Sequence, residues 1–157
     1  KIFKQCVDEN IKINIIQQCT ESQNYVLDEF YKSLKINYEL FNFTDNIFEY
    51  FSRVELVITR SGSSVTAELI NFKIPFISIP YPFSADSHQD KNAEYFEKKG
   101  YSFLIKENEV NKKLFPLIKS IYSDKKILNN LIEKQKKHSD DNVFNKITSE
   151  IKKLSDE

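Results

Sequence analysis

Apolar positions along this chain alternate between two periods. Short runs rich in β-branched residues read as strands: Ile11-Lys-Ile-Asn-Ile-Ile-Gln-Gln-Cys19, Tyr38-Glu-Leu-Phe-Asn-Phe43, Val54-Glu-Leu-Val-Ile-Thr59, Ile74-Pro-Phe-Ile-Ser-Ile-Pro80 and Tyr101-Ser-Phe-Leu-Ile105. Between them the spacing is that of amphipathic helices. The chain opens in one, with Ile2, Phe3, Cys6 and Val7 on one side. Another is predicted from about Gln23 to Leu34 behind the polar Thr20-Glu-Ser-Gln, and a short one through Tyr50 capped by Thr44 and Asp45. A helix from Ser63 to Asn71 carries Val65, Leu69 and Phe72 at packing spacing, and one from Ser87 to Lys99 stops at Gly100, the residue type suited to a left-handed C-terminal position. From Asn108 onward the pattern is wholly helical: Val110 to Tyr122, Lys125 to Lys137 and Asp141 to Leu154.

Strands alternating with helices predict right-handed βαβ crossovers and a parallel sheet covered on both faces, hence a doubly wound α/β class. Pro75 and Pro80 bracket the fourth strand, where a missing N–H is tolerated. The opening helix has no capping residue ahead of it and the chain contains no Met, so the expectation is the C-terminal part of a longer protein. The strand feeding that helix is then expected upstream of residue 1, leaving the sheet incomplete.

Composition narrows the function classes. With 157 residues and 40% hydrophobic content, one domain with a proper core is expected. Lys plus Arg and Asp plus Glu balance at 23 each, and the Lys pairs are interspersed with acids along helices, which argues against a nucleic-acid partner. The two cysteines, Cys6 and Cys19, lack CxxC spacing and read as reduced thiols of a cytosolic protein. No His or Cys cluster has metal-ligand spacing, so neither a metal nor a cofactor is expected. No apolar run approaches the ~18 residues that span a bilayer, and no signal-peptide pattern is present, so a soluble chain is expected.

The candidate chemistry gathers at two strand-to-helix junctions. Thr59-Arg60-Ser61-Gly62-Ser63-Ser64 is a small hydroxyl-rich loop ahead of a helix, where free N–H groups and the positive helix end make a seat for phosphate. Gly62 admits a ligand close to the backbone, and Arg60 adds a cation. Glu68 follows about one and a half turns into the helix, where a carboxylate suits a ribose diol. At the next junction His88, Gln89 and Asn92 offer a ring and two neutral amides, chemistry that fits neutral polyols such as sugars. Each residue also has an ordinary structural reading: a Ser-rich helix cap with an exposed Arg, a solvent-facing Glu, a surface helix start capped by Asp86 or Ser87. No nucleophile elbow or Walker loop accompanies them, and nothing nearby in sequence holds His88 in one tautomer. Binding is expected, not catalysis.

Taken as a set, Ile58-Thr-Arg60-Ser-Gly-Ser-Ser-Val-Thr-Ala-Glu68-Leu, Ile74-Pro-Phe-Ile-Ser-Ile-Pro80 and Asp86-Ser-His88-Gln-Asp-Lys-Asn92-Ala resemble the C-terminal domain of the MurG family of N-acetylglucosaminyltransferases. The resemblance runs from the first helix to the terminal helices and includes Phe43-Thr-Asp-Asn-Ile47, which is similar to the family's loop against uracil. It implies the Rossmann-like C-terminal half of a two-domain GT-B enzyme, residues 1–157 forming the UDP-sugar-binding domain, with the N-terminal acceptor domain absent. It implies UDP-N-acetylglucosamine as donor, lipid I as acceptor through the other domain, and lipid II for peptidoglycan as product. Transfer would be inverting and metal-free, at the cytoplasmic face of a bacterial inner membrane. By position Ser61, Gly62, Ser63 and Ser64 would hold the diphosphate with Arg60 alongside, Glu68 the ribose, the backbone at Thr44 the uracil, and His88, Gln89 and Asn92 the sugar. The order Val65-Thr66 departs from the family's usual hydroxyl before Val, which puts one contact in doubt. The residues alone leave open a related transferase with another lipid acceptor, or a non-catalytic α/β interaction module.

Overall fold

The computed structural model describes residues 1–138, and the expected helix from Asp141 to Leu154 lies outside them. The elements run in order α1 (Ile2–Asp8), β1 (Asn14–Gln18), α2 (Glu21–Leu34), β2 (Asn37–Phe41), α3 (Ile47–Phe51), β3 (Val57–Thr59), α4 (Ser63–Asn71), β4 (Phe76–Ser78), α5 (His88–Lys99), β5 (Ser102–Leu104), α6 (Val110–Ser123) and α7 (Lys126–Lys136). Every predicted strand and helix among these residues is present, with the strands shorter than their apolar runs. Ile11 and Cys19 lie outside β1 but are buried. Gln23 Oε1 accepts from Thr20 N at 3.1 Å, half of a capping box, so α2 starts two residues earlier than its apolar pattern. Gly100 ends α5 at φ 72°, as expected of a left-handed terminus.

All pairings are parallel, and the ladder comes in two pieces, β1 with β2, and β3 with β4 with β5. β1 and β3 each pair on one side only, so each keeps one edge without a strand partner among the described residues. The three-stranded piece has level register: Val57, Phe76 and Ser102 are neighbours at one end, Thr59, Ser78 and Leu104 at the other.

β4 is buried at all its positions. Successive strand residues face opposite sides, and the core follows that rule. Phe76 packs with Phe51, Leu69, Ile70 and Ile74, joined by Phe96 from α5. Ile77 packs with Ile105 and Leu114, joined by Ile2, Leu117 and Val110. Helices α4 and α5 therefore cover one face, and α1 and α6 the other. That is the doubly wound arrangement read from the sequence.

In α1, Cys6 is fully buried while Val7 is 38% exposed, so the expected apolar side of that helix is narrower than the sequence implies. Both cysteines are free, and burial pushes the Cys6 thiol above its ordinary value.

Gln135 of α7 is fully buried and donates from Nε2 to the carbonyls of Ile74 (3.0 Å) and Tyr101 (2.8 Å). It thereby fastens α7 to the segments entering β4 and β5. Replacing it with Leu should leave those acceptors unpaired and lower unfolding free energy by about 1–3 kcal/mol, read as a reduced urea midpoint at unchanged m-value.

On the other sheet, the Asp28 carboxylate receives Lys32 Nζ at 2.6 Å and the Tyr38 hydroxyl, which hold its pKa below the ordinary carboxylate value. A depressed folded pKa means stabilisation that is present above the unfolded pKa of about 3.9 and lost as pH falls through the folded value. Tyr38→Phe should move the Asp28 pKa upward in a carboxyl NMR titration; an unchanged value would remove the hydroxyl from the explanation.

Candidate functional site

Helix α4 begins directly behind the loop that carries the hydroxyl-rich motif. Its first backbone bond runs from Thr66 N to Gly62 O at 3.1 Å, so the N–H groups of Ser63, Ser64 and Val65 have no intrahelical acceptor. No side chain caps this end, and no acidic residue stands in its first turn. The first turn of α2, by contrast, carries Glu21, and that of α5 carries Asp90. The N-terminus of α4 is thus left positive and open to solvent, with Ser63 and Ser64 exposed on it.

Gly62 adopts φ −65°, ψ 142°, a conformation any residue accepts. A Cβ there would meet only Val65 Cγ1, at 3.8 Å. Nothing inside the fold requires glycine at this place; what its missing side chain leaves free is approach from outside. Ser61 is fully buried, and its Oγ has no hydrogen-bond partner. The Thr66 hydroxyl turns back into the helix, donating to Gly62 O at 2.8 Å, and is fully buried. The reordered Val65-Thr66 pair therefore presents no hydroxyl outward. Glu68 lies half-buried on α4, and its carboxylate makes no hydrogen bond or ion pair with another described residue.

The second junction lies against the first. Asn92 Nδ2 of α5 donates to Ser61 O at 3.2 Å, which brings together two motifs 31 residues apart. Tyr81 N donates to Gln89 Oε1 at 3.0 Å, committing the oxygen of that amide and leaving its Nε2 without a partner among the described residues. His88 Nδ1 lies 2.7 Å from the carbonyl oxygen of Ala85. A carbonyl only accepts, so Nδ1 carries the proton and the neutral ring presents a lone pair at Nε2. The tautomer that local sequence could not settle is set by this carbonyl. It is brought into range by a single 3-10 turn, Ala85–Ser87, in which Asp86 (φ 47°) and Ser87 (φ 52°) are both left-handed. Two consecutive non-glycine residues in that region store strain beside the site. The expected Ser87 cap occupies the right position, but its side chain makes no capping bond.

Arg60 is engaged with protein. Its Nη1 donates to the carbonyls of Ile79 and Pro80, each at 3.3 Å, and pairs with the Glu107 carboxylate, while the guanidinium lies 5.7 Å from the Tyr81 ring centroid. Sequence reasoning missed Glu107. It stands in a Lys-Glu-Asn-Glu run just after β5, at the edge where the other candidates lie, and that position was the available signal. Thr44 follows β2 on the two-stranded sheet; it is half-buried, and its Oγ1 accepts from Asn46 N at 3.0 Å, shaping the turn into α3. Among the described residues, no hydrogen bond links its side chain to the group between Arg60 and Asn92. Two hollows flank this edge and the opposite one, lined respectively by Ile58, Arg60, Ile79 and Glu107, and by Val54, Lys73, Pro75 and Ile132. The α4 seat is in neither; it is open surface.

A family model for the glycosyltransferase family 28 C-terminal domain matches residues 2–150. The chain belongs to that family. Among its relatives is a protein of Rickettsia bellii named UDP-N-acetylglucosamine--N-acetylmuramyl-(pentapeptide) pyrophosphoryl-undecaprenol N-acetylglucosamine transferase, 35% identical over 141 residues, covering 83% of this chain and 40% of the relative. A protein of the same name from Pelagibacter ubique is 34% identical over 105 residues, covering 67% of the chain and 30% of the relative. The chain thus spans about 30–40% of the length of these curated relatives. Among solved structures, MurG of Acinetobacter baumannii superposes with TM-score 0.76 over 88% of this chain and 41% of that one at 17% identity. A glycosyltransferase of kitacinnamycin gives 0.53 over 80% of this chain and 38% of that one at 14% identity. At these identities the superpositions establish the fold, a Rossmann-like α/β domain. For a family 28 C-terminal domain, an uncapped helix start beside a pair of amides is the arrangement to which function has to be assigned.

Proposed function

We propose that residues 1–157 form the donor-binding domain of an inverting glycosyltransferase, that the ligand is UDP-N-acetylglucosamine, and that the full-length protein transfers N-acetylglucosamine to lipid I to make lipid II for peptidoglycan. The observation that carries this reading is the α4 N-terminus, uncapped and without an acidic residue in its first turn, tied through Asn92 and Ser61 to the amide-bearing start of α5. The names carried by the family's relatives supply the donor and the acceptor class.

The diphosphate sits on the N–H groups of Ser63, Ser64 and Val65, with Ser61 and Gly62 forming the floor. The helix end, equivalent to about half a positive charge, is the counter-charge. The Glu68 carboxylate, without a partner among the described residues, accepts from the two ribose hydroxyls. Gln89 Nε2 donates to a sugar hydroxyl, Asn92 Oδ1 and the His88 Nε2 lone pair accept from others, and the backbone at Thr44 reads the uracil. In the reaction an acceptor hydroxyl attacks the anomeric carbon from the face opposite the nucleotide. The bond to the β-phosphate oxygen breaks with its electron pair leaving on UDP, and α4 stabilises that developing charge without a metal. The acceptor's proton goes to a base outside this chain, so these residues bind donor and do not turn it over.

No helix among the described residues is long and apolar enough to cross a membrane. Residence at the cytoplasmic face of the inner membrane, with lipid I and the membrane surface engaged by the N-terminal domain, is part of the same proposal.

Titration calorimetry tests it. The protein should bind UDP-N-acetylglucosamine and UDP, and Glu68→Ala should weaken both by about tenfold or more. Gly62→Ala, which the backbone accommodates, should keep the melting temperature while reducing affinity for both. Absence of heat with either nucleotide from a folded sample would end the donor-site reading, and turnover of lipid I by this chain alone would refute its restriction to binding.

A further inference from the structure

The carboxyl ends of β3, β4 and β5 finish level, and one side chain spans all of them. Arg60 leaves the end of β3, donates to the carbonyls of Ile79 and Pro80 just past β4, and pairs with Glu107 in the turn just past β5. Its guanidinium also lies near the ring of Tyr81, the residue whose N–H holds Gln89 Oε1. These contacts make a continuous chain: Glu107, Arg60, the 79–81 backbone, Gln89. At its end the amide of Gln89 has one orientation, because only its oxygen can accept from Tyr81 N.

We propose that Arg60 and Glu107 are a positioning pair that sets the aim of Gln89 Nε2 toward the donor sugar, and that Arg60 is not a ligand of the diphosphate. This rests on the donor-site reading above. Arg60 has committed Nη1 to two carbonyls and a carboxylate, and Glu107 beside it would repel a diphosphate drawn to the same cation. The pair is about half exposed, at 49% and 47% of side-chain area, so it contributes little to overall stability. What it supplies is geometry. The rigid planar guanidinium holds Nη1 on two carbonyls and a carboxylate while its face lies near the Tyr81 ring, a combination that the flexible ammonium of Lys does not reproduce.

The two roles predict opposite signs. If Arg60 bound phosphate, Glu107→Gln would release it and tighten UDP. If the pair positions Gln89, Glu107→Gln should weaken UDP-N-acetylglucosamine by about tenfold and leave UDP within about twofold, so that the increment due to the sugar shrinks at unchanged melting temperature. Arg60→Lys should show the same pattern. Without any ligand, amide hydrogen exchange at Tyr81 should speed up in both variants as its bond to Gln89 loosens. Tighter UDP binding by Glu107→Gln, equal loss for both ligands, or unchanged sugar increment with unchanged Tyr81 exchange would each overturn the proposal. An unmodified protein that binds neither nucleotide fails the donor-site reading first, and this proposal with it, a result distinct from all of those.

Discussion

The arrangement rests on the burial of one short strand from both sides. Phe76 and Ile77 are fully buried in separate cores on opposite faces of the sheet. A strand held that way cannot slip by one residue without exchanging its two faces, which would put each side chain into a core shaped for the other. Its register with β3 and β5 is therefore fixed, and their carboxyl ends finish together. Residues 60–62, 79–87 and 105–109 are then neighbours although they lie far apart in the chain. In open parallel α/β sheets that edge is where ligands bind.

At this edge the polar groups divide by whether the protein already uses them. Gln89 Oε1, Asn92 Nδ2, the Thr66 hydroxyl and Arg60 Nη1 are bonded internally. Gln89 Nε2, the Glu68 carboxylate and the first N–H groups of α4 have no partner among the described residues. Groups of the first kind hold the loops against one another; groups of the second kind are available to a ligand. That division separates scaffold from contact more sharply than residue type does, since one amide side chain can serve both. The chain spans well under half the length of its curated relatives.

Much of this was legible beforehand. The alternation of β-branched runs with helical spacing located every strand and α-helix among the described residues, because burial on two faces demands continuous apolar runs in strands and a stripe in helices. Gly100 was readable as a left-handed helix end because few other residues tolerate that conformation. Gln135 was not readable as a core residue: a polar side chain in a Lys-rich helix gives no sign that two backbone carbonyls await it. Nor was the pairing of Glu107 readable, since its partner is 47 residues away.

The amino-acid sequence by itself determined the element order, the parallel α/β class and the two junctions where polar residues collect, since these follow from local periodicity and turn chemistry. Only the tertiary structure decided that the ladder comes in two pieces, β1 with β2 and β3 with β4 with β5, that Ala85 fixes the His88 tautomer, and that Arg60 is committed to Glu107 and the 79–80 carbonyls. Each of these depends on groups brought together by packing, and a hydrogen bond acts only over its own short range. No pattern along the chain reports which acceptor lies within it.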